Sequence, residues 1–441
     1  MSMRLEPREA VQRATTYGHA VASFVGDDGY PFSVAAPFTA DIATATVTVG
    51  PIGAGAFPPD GAEVGLLFSH IRPQPGVGYD ERRYVNAWGP SRVTGDRLTV
   101  AVEQATGWDE QDVPFFEYAE RTVPEAHRYM GELGVRPRLS AWWTFFLTTR
   151  LPFLTATIVP VVLGGVVAAR DHAFAWGWFL LAMLGAVLVH LGLNMANDLF
   201  DEASGADAAN VTPTPFSGGS RVLQYGLISR RAVVVGAIGC YAAGVAIGFF
   251  LAAARGWGLL LIGGVGILLS LAYSAPPLRL VHRGVGEVVT AVGFGPITTL
   301  GTYYVLAGRW SGEALYASLP VAVLIALVLY VNEVPDRAGD AAVGKRTLPV
   351  RWPEDRVVLG YAVCATLAYG LIVAGVVASV LPAWTLLALL TVPLAQRVHR
   401  GLAEHYEQPY ELMADMQLNI ILHLSTGLLI IAGYAVDLLI R

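Results

Sequence analysis

Residues 174–201 read FAWGWFLLAMLGAVLVHLGLNMANDLFD. The first twenty carry no Asp, Glu, Lys or Arg, and a helix of ~20 such residues spans the ~30 Å of a bilayer core. The last eight bring Asn194, Asn197, Asp198 and Asp201. Asn194 and Asp198 are i,i+4, and Asp198 and Asp201 are i,i+3, so all three share one helix face at the membrane edge. Asp207 follows six residues on. A second stretch repeats the design. Residues 315–340 read LYASLPVAVLIALVLYVNEVPDRAGD, and Asn332, Asp336 and Asp340 are spaced by four. Pro335 is expected to kink that helix and release a backbone carbonyl. The shared Asn-x-x-x-Asp core suggests an internal repeat.

Outward from these two stretches, residues 140–441 contain nine apolar segments of roughly 17–25 residues. They lie near 146–169, 174–196, 232–254, 257–275, 286–307, 314–334, 357–378, 382–398 and 418–438. Trp142 and Trp143 sit where an interfacial belt would be. The 441-residue chain is 54% hydrophobic and 15% charged. Residues 1–139 hold 12 basic and 18 acidic side chains, whereas 140–441 hold 17 of each. A soluble domain (1–135) is therefore expected before a membrane domain (140–441). The lack of a strongly basic domain argues against nucleic-acid binding. Cys240 and Cys364 both fall in apolar runs and read as small core residues.

The start, MSMRLEPREA, has no apolar signal-peptide core, so the N-terminal domain is expected in the cytoplasm. With nine spans, the loops near 197–231, 276–285, 335–356 and 397–417 then face inward. Inside flanks hold 13 basic residues and outside flanks four: Arg170, Arg255, Arg309 and Arg441. That asymmetry follows the positive-inside rule and places a multi-pass protein in the cell membrane with its acidic clusters on the cytoplasmic side.

Carboxylates gathered at a membrane edge repel one another and are expensive to desolvate. A hard divalent cation removes both difficulties, and Mg²⁺ is typically held by a few carboxylates plus substrate phosphates. Cations stand close by in sequence. Lys345, the only lysine beside 28 arginines, and Arg346 follow the second cluster. An ammonium is a compact point charge suited to phosphate. Ser217-Gly-Gly-Ser220-Arg221 is a small-residue loop whose amides suit an anion. Tyr273-Ser-Ala-Pro-Pro-Leu-Arg279 ends the fourth span. A transporter would instead place its ionisable groups near the membrane midplane at broken helices.

Taken together, these segments resemble the UbiA-type prenyltransferase superfamily over about residues 140–441. Asn197-Asp198-x-x-Asp201 looks like its first Asp-rich motif and Asp336-x-x-x-Asp340 like its second. Asp207, Phe216-Ser-Gly-Gly-Ser220, Tyr273-Ser-Ala-Pro-Pro277, Gly301-Thr-Tyr-Tyr304 and Gly344-Lys-Arg-Thr-Leu-Pro-Val350 look like the branch that prenylates 1,4-dihydroxy-2-naphthoate in menaquinone synthesis. The resemblance implies a nine-helix bundle that moves a polyprenyl group from its diphosphate to an aromatic acceptor. It implies Mg²⁺ on Asp198, Asp201, Asp207, Asp336 and Asp340. Asn194, Asn197 and Asn332 would position ligands. Lys345 and Arg346, with Arg150 and Arg279, would stabilise the leaving diphosphate. Tyr273 and Tyr303 would face the allylic cation or the acceptor, or simply pack. Other acceptors remain open: 4-hydroxybenzoate, homogentisate, or a lipid or sugar phosphate.

Residues 1–135 read as β-rich. The expected strands are 19–25, 31–36, 43–49, 63–68, 83–88 and 97–102, which suggests a small barrel, followed by a polar helix over about 113–133. Tyr17-Gly-His-Ala-Val-Ala-Ser-Phe, Val64-Gly-Leu-Leu-Phe-Ser-His70 and Val85-Asn-Ala-Trp-Gly89 resemble pyridoxamine 5′-phosphate oxidase-like split barrels. Such domains often bind flavin, with His70 and Arg72 the candidate contacts here; a cofactor-free regulatory or assembly role is the alternative.

Overall fold

The computed structural model describes residues 4–26, 29–53, 57–74, 78–113, single positions between 115 and 134, 148–210 and 214–440. Trp142, Trp143, Arg441 and most of the expected 113–133 helix lie outside the described residues. The chain divides into two compact units, Met1–Val123 and Pro124–Arg441.

The first unit is an antiparallel sheet with one short helix, α1 (Pro7–Ala14). Its strands are β1 (Arg4–Leu5), β2 (Ala20–Val25), β3 (Pro31–Ala36), β4 (Phe38–Asp41), β5 (Thr46–Val49), β6 (Glu63–Gln74), β7 (Gly78–Thr94), β8 (Arg97–Ala101) and β9 (Gln104–Asp109). The six expected runs are all strands, and β1, β4 and β9 are additional. The order is β3-β2-β6-β7-β8-β5-β4, with β9 between β7 and β1. The expected barrel is not closed. The two ends of that path, β3 and β4, are joined covalently through Pro37 and not by a hydrogen-bond ladder. A proline has no N–H to extend a ladder. β7 changes partner along its length, pairing β6 through Pro90, β9 through Trp88 and β8 from Ser91. At the switch, a Cβ on Gly89 would meet the Ala101 carbonyl at 1.7 Å, so only glycine fits. Alternate residues of the strands, among them Val64, Leu66, Phe68, Val85 and Ala87, form the core.

The second unit is helical. α2 (Thr155–Arg170) follows a 3-10 turn at Leu151–Leu154, and α3 (Trp176–Ser204) carries the first acidic cluster. α4 (Ala206–Ala209), α5 (Arg230–Arg255) and α6 (Gly258–Ser274) come next. α7 (Gly286–Val292) continues through a π turn at Gly293–Ile297 into α8 (Thr298–Ala307). α9 (Gly312–Ala342) carries the second cluster and runs on past Pro335. α10 (Leu348–Arg351), α11 (Glu354–Val377), a 3-10 segment Ala383–Thr391 leading into α12 (Val392–Glu404), and α13 (Leu412–Ile440) complete the unit.

Local sequence explains several ends. Ser229 and Ser311 cap α5 and α9 by accepting from the Ala232 and Ala314 amides. Gly205, at φ 77°, ends α3 in the left-handed conformation. Among the described residues, α3, α5, α9, α11 and α13 are long and apolar enough to cross a membrane. α2 and α6 are shorter apolar helices. The apolar segments expected from the sequence thus coincide with helices, but five, not nine, meet the length of a full crossing. Of the remainder, α2 is preceded by a 3-10 turn, the α7–α8 pair is broken by a π turn, the last begins as a 3-10 segment, and α6 is a continuous helix of 17 residues.

Candidate functional site

A cavity of about 740 Å³ lies in the helical unit. Its wall is mostly apolar, from α3, α5, α6, α7 and α8, and one end is polar. That end gathers Arg150, Asn194, Asn197, Asp201, Asp207, Asn210, Ser217, Asn332, Glu333, Asp336, Asp340 and Lys345, with Tyr273 bordering the same space. The two clusters, far apart in sequence, therefore share one wall.

The first cluster is held by its neighbours. Asn197 Nδ2 donates to Asp201 Oδ2 at 2.9 Å, and the Ser274 hydroxyl donates to Asn197 Oδ1. Asn194 Nδ2 donates to the Thr149 carbonyl at 2.9 Å, fixing the turn that presents Arg150. Arg150 stands in the left-handed region, φ 51°, and its guanidinium is ion-paired to Asp198. Ser220 donates to the same carboxylate. Asp198 is 2% exposed and does not border the cavity; Arg150 stands between.

The second cluster is tied to the loop after α4. Asp336 accepts from Asn210 Nδ2 at 2.7 Å and from the Gly218 amide at 3.0 Å. Lys345 Nζ lies 3.2 Å from Asp340 Oδ1. Burial works against its charge, but Asp201, Asp340 and Asp336 outweigh it and hold the ammonium well above the ordinary lysine value. Asp207, in the loop, is pushed up to about 7 by burial and by Asp201 and Asp198. Beside it, Gly219 has φ 79°, and a Cβ there would lie 2.6 Å from Asp207 Oδ1.

Several candidates from the sequence lie elsewhere. Tyr303 is buried but donates to Asp171, at the other end of α3's partner helices, while Gly301, Thr302 and Val305 take the cavity face. Arg346 and Arg279 are exposed and off the cavity wall; the Arg346 amide only donates to the His282 carbonyl. Arg221 ties the loop together by donating to the Asp207 and Asn210 carbonyls. In the β unit, Glu81 takes both His70, at 3.2 Å, and Arg72, at 3.0 Å. Three residues of the cavity lining had no role in the sequence pattern: Asn210, His190 and Glu333. The Asn-x-x-x-Asp spacing contains Glu333 but says nothing about its burial.

The donor chemistry suits a hard cation. Asp201 Oδ1, Asp340 Oδ2 and Asn332 Oδ1 are buried acceptors with no donor. Among the described residues no three acidic, His or Cys side chains stand together as a metal group. The fit is therefore to an ion held by one or two carboxylates and completed by substrate oxygens, which is the usual manner of Mg²⁺.

Residues 157–421 match the UbiA prenyltransferase family. The chain belongs to the UbiA prenyltransferase family. Its similarity to the 2-carboxy-1,4-naphthoquinone phytyltransferase of Synechocystis is 27% identity over 287 residues, 64% of this chain and 90% of that protein. With the 1,4-dihydroxy-2-naphthoate octaprenyltransferase of Mycobacterium tuberculosis it shares 34% over 248 residues, 55% of this chain and 80% of the other. The apo structure of a UbiA homolog from Aeropyrum pernix K1 gives a TM-score of 0.49 at 21% identity, covering 64% of this chain and 97% of that one. This UbiA member is an integral membrane prenyltransferase with an N-terminal antiparallel β domain.

Proposed function

We propose that this UbiA protein transfers a polyprenyl group from polyprenyl diphosphate to 1,4-dihydroxy-2-naphthoate, with loss of the acceptor carboxylate. The observation that carries the diphosphate half is the convergence of both Asp motifs and Lys345 on the polar end of one largely apolar cavity. The acceptor follows the named activities of the two relatives, whose substrates are a naphthoquinone and a naphthoate.

Of Asp201, Asp207, Asp336 and Asp340, one or two would hold each Mg²⁺, and Asp198 would join them where Arg150 turns from it to the diphosphate. When bound, the ion supplies positive charge against the leaving diphosphate. Lys345 and Arg150 add fixed positive charge at the same oxygens. Asn210 and the Gly218 amide hold Asp336 in place, and Asn197 holds Asp201. The apolar wall takes the prenyl tail and keeps water from the allylic cation.

The remaining apolar helices, α2, α6, the α7–α8 pair and the 3-10/α12 segment, complete nine crossings in this reading. The site then faces the cytoplasm of a cell-membrane protein, and the β unit is a split-barrel-like cytoplasmic accessory domain. Mass spectrometry of products from membranes given Mg²⁺, geranyl diphosphate and a panel of phenolic acceptors is the test. Prenylated decarboxylated naphthoate is expected. Turnover of 4-hydroxybenzoate or homogentisate with none of the naphthoate would replace the acceptor. A cysteine at Arg309 labelled from outside, with one at Gly344 protected until the membrane is permeabilised, checks the orientation.

A further inference from the structure

Glu333 is the residue the diphosphate chemistry leaves unused. It is 4% exposed, borders the cavity, and neither carboxyl oxygen has a donor in the protein. Behind it stands Glu287 of α7, 7% exposed, with its own Oε1 unmatched. The two carboxyls are within hydrogen-bonding reach of each other, and neither brings a donor when ionised. A buried acceptor without a donor gives up its hydrogen bonds to water without replacement, so this pair of carboxyls facing the cavity calls for a ligand that brings O–H groups.

Position selects which ligand. Along α9 the order is Glu333, Asp336, Asp340, and the chain then reaches Lys345. Glu333 therefore sits one turn from Asp336 on the side of the helix's apolar run, with Lys345 still within electrostatic range. A diphosphate held by Asp336, Asp340 and Lys345 places its prenyl carbon on that side. The ring that attacks this carbon must be there too. Tyr273 of α6 is within electrostatic range of Glu333, so the corner is built from α6, α7 and α9 together.

We infer that Glu333, backed by Glu287, binds the hydroxyl of the aromatic acceptor and takes its proton during transfer; this rests on the reading of the cavity as an aromatic prenyltransferase site. The steps balance. The prenyl C–O bond breaks with its electron pair going to the diphosphate oxygen. A ring carbon beside the hydroxyl-bearing carbon bonds to the prenyl carbon, the hydroxyl becomes a ketone, and its proton moves to Glu333. With a carboxylate on the attacked carbon, the product is a β-keto acid anion. It loses CO₂, and the resulting enolate oxygen recovers the proton from Glu333. The carboxyl pair ends as it began.

The test uses the full-length protein in detergent with Mg²⁺, geranyl diphosphate and 1,4-dihydroxy-2-naphthoate, and 4-hydroxybenzoate and homogentisate beside it. Geranyl diphosphate affinity and acceptor kcat/KM are measured for wild type, Glu333→Gln, Glu333→Asp and Glu287→Gln. Glu333→Gln should lower kcat/KM for the acceptor at least about 100-fold, the scale of losing one acid–base group. Its affinity for geranyl diphosphate should stay within about twofold of wild type, which also reports that the variant is folded. Glu333→Asp should recover part of the loss, and Glu287→Gln should lose about tenfold, as a supporting group removed from a shared proton. Wild-type acceptor kinetics in Glu333→Gln would overturn the inference. So would a loss of geranyl diphosphate affinity or an altered Mg²⁺ requirement, since Glu333 would then belong to the metal side. If wild type itself binds geranyl diphosphate but consumes none of the three acceptors, the aromatic reading fails and this inference falls with it.

Discussion

Asn210 Nδ2 donates to Asp336 Oδ1 across 2.7 Å, although 126 residues separate them. The contact joins the loop after the first Asp motif to the helix that carries the second. Gly218, from the same loop, donates its amide to the other oxygen of Asp336. The second motif is thus shaped by the sequence that follows the first.

Asp198→Asn and Asp336→Asn should each lower turnover by at least about 100-fold, the scale of removing one electrostatic stabiliser of a transition state. Their stabilities should differ. The sequence places both carboxylates at a membrane edge, and the structure buries Asp198 against Arg150. Stripping one partner from a buried pair costs about 3–5 kcal/mol. Asp336→Asn keeps one carbonyl acceptor for Asn210 and should cost about 1–3 kcal/mol. Turnover against Mg²⁺ concentration, with melting temperature for each variant, measures both. Activity persisting in EDTA would show the clusters to be structural.

Lys345→Ala should weaken geranyl diphosphate binding by roughly tenfold or more, as one desolvated charge-assisted contact is lost. The Mg²⁺ concentration for half-maximal turnover should move less, because Lys345 answers to anions. A large shift in the metal requirement with unchanged diphosphate affinity would assign it to holding Asp340 alone.

Gly219→Ala should reduce both stability and turnover. The residue is held at φ 79°, and its new Cβ would lie 2.6 Å from the Asp207 carboxylate. A non-glycine residue in this region costs about 1–3 kcal/mol before the clash is counted. Calorimetry beside turnover decides: an unchanged melting point would mean the loop relaxes without consequence.

Asp207 makes a pH-dependent contribution in metal-free protein. Its carboxyl is raised from 3.8 to about 7. The folded state then holds a proton that the unfolded chain releases, so folding loses stability as pH rises between those values. Below about 4 the penalty is absent, and above about 7 it is complete. Asp207→Asn lacks it. The melting temperature of the variant minus that of wild type, in EDTA, should climb from pH 4 to 7 and then level. A flat difference would show that Asp207 is not held neutral by its surroundings.

Each apolar segment and both Asp motifs were legible from the sequence because their signals are local. A run of uncharged residues sets a helix in lipid, and i,i+3 and i,i+4 spacing sets a common face. Two of the motif's expected helpers were not separable this way. Arg346 and Lys345 are adjacent in sequence, yet Lys345 is buried beside Asp340 while Arg346 points to the exposed surface. Tyr303 and Thr302 are likewise adjacent, and only Thr302 borders the cavity.

The chain by itself determined that this protein is a membrane bundle with two acidic helix ends, since hydropathy and periodicity act within one helix. Only the tertiary structure decided which charges meet. Arg150 reached Asp198, Asn210 reached Asp336, and Glu287 came to stand behind Glu333 because packing of separate helices placed them there. Burial and unmatched hydrogen-bonding capacity are properties of that packing, and no spacing rule along a single helix contains them.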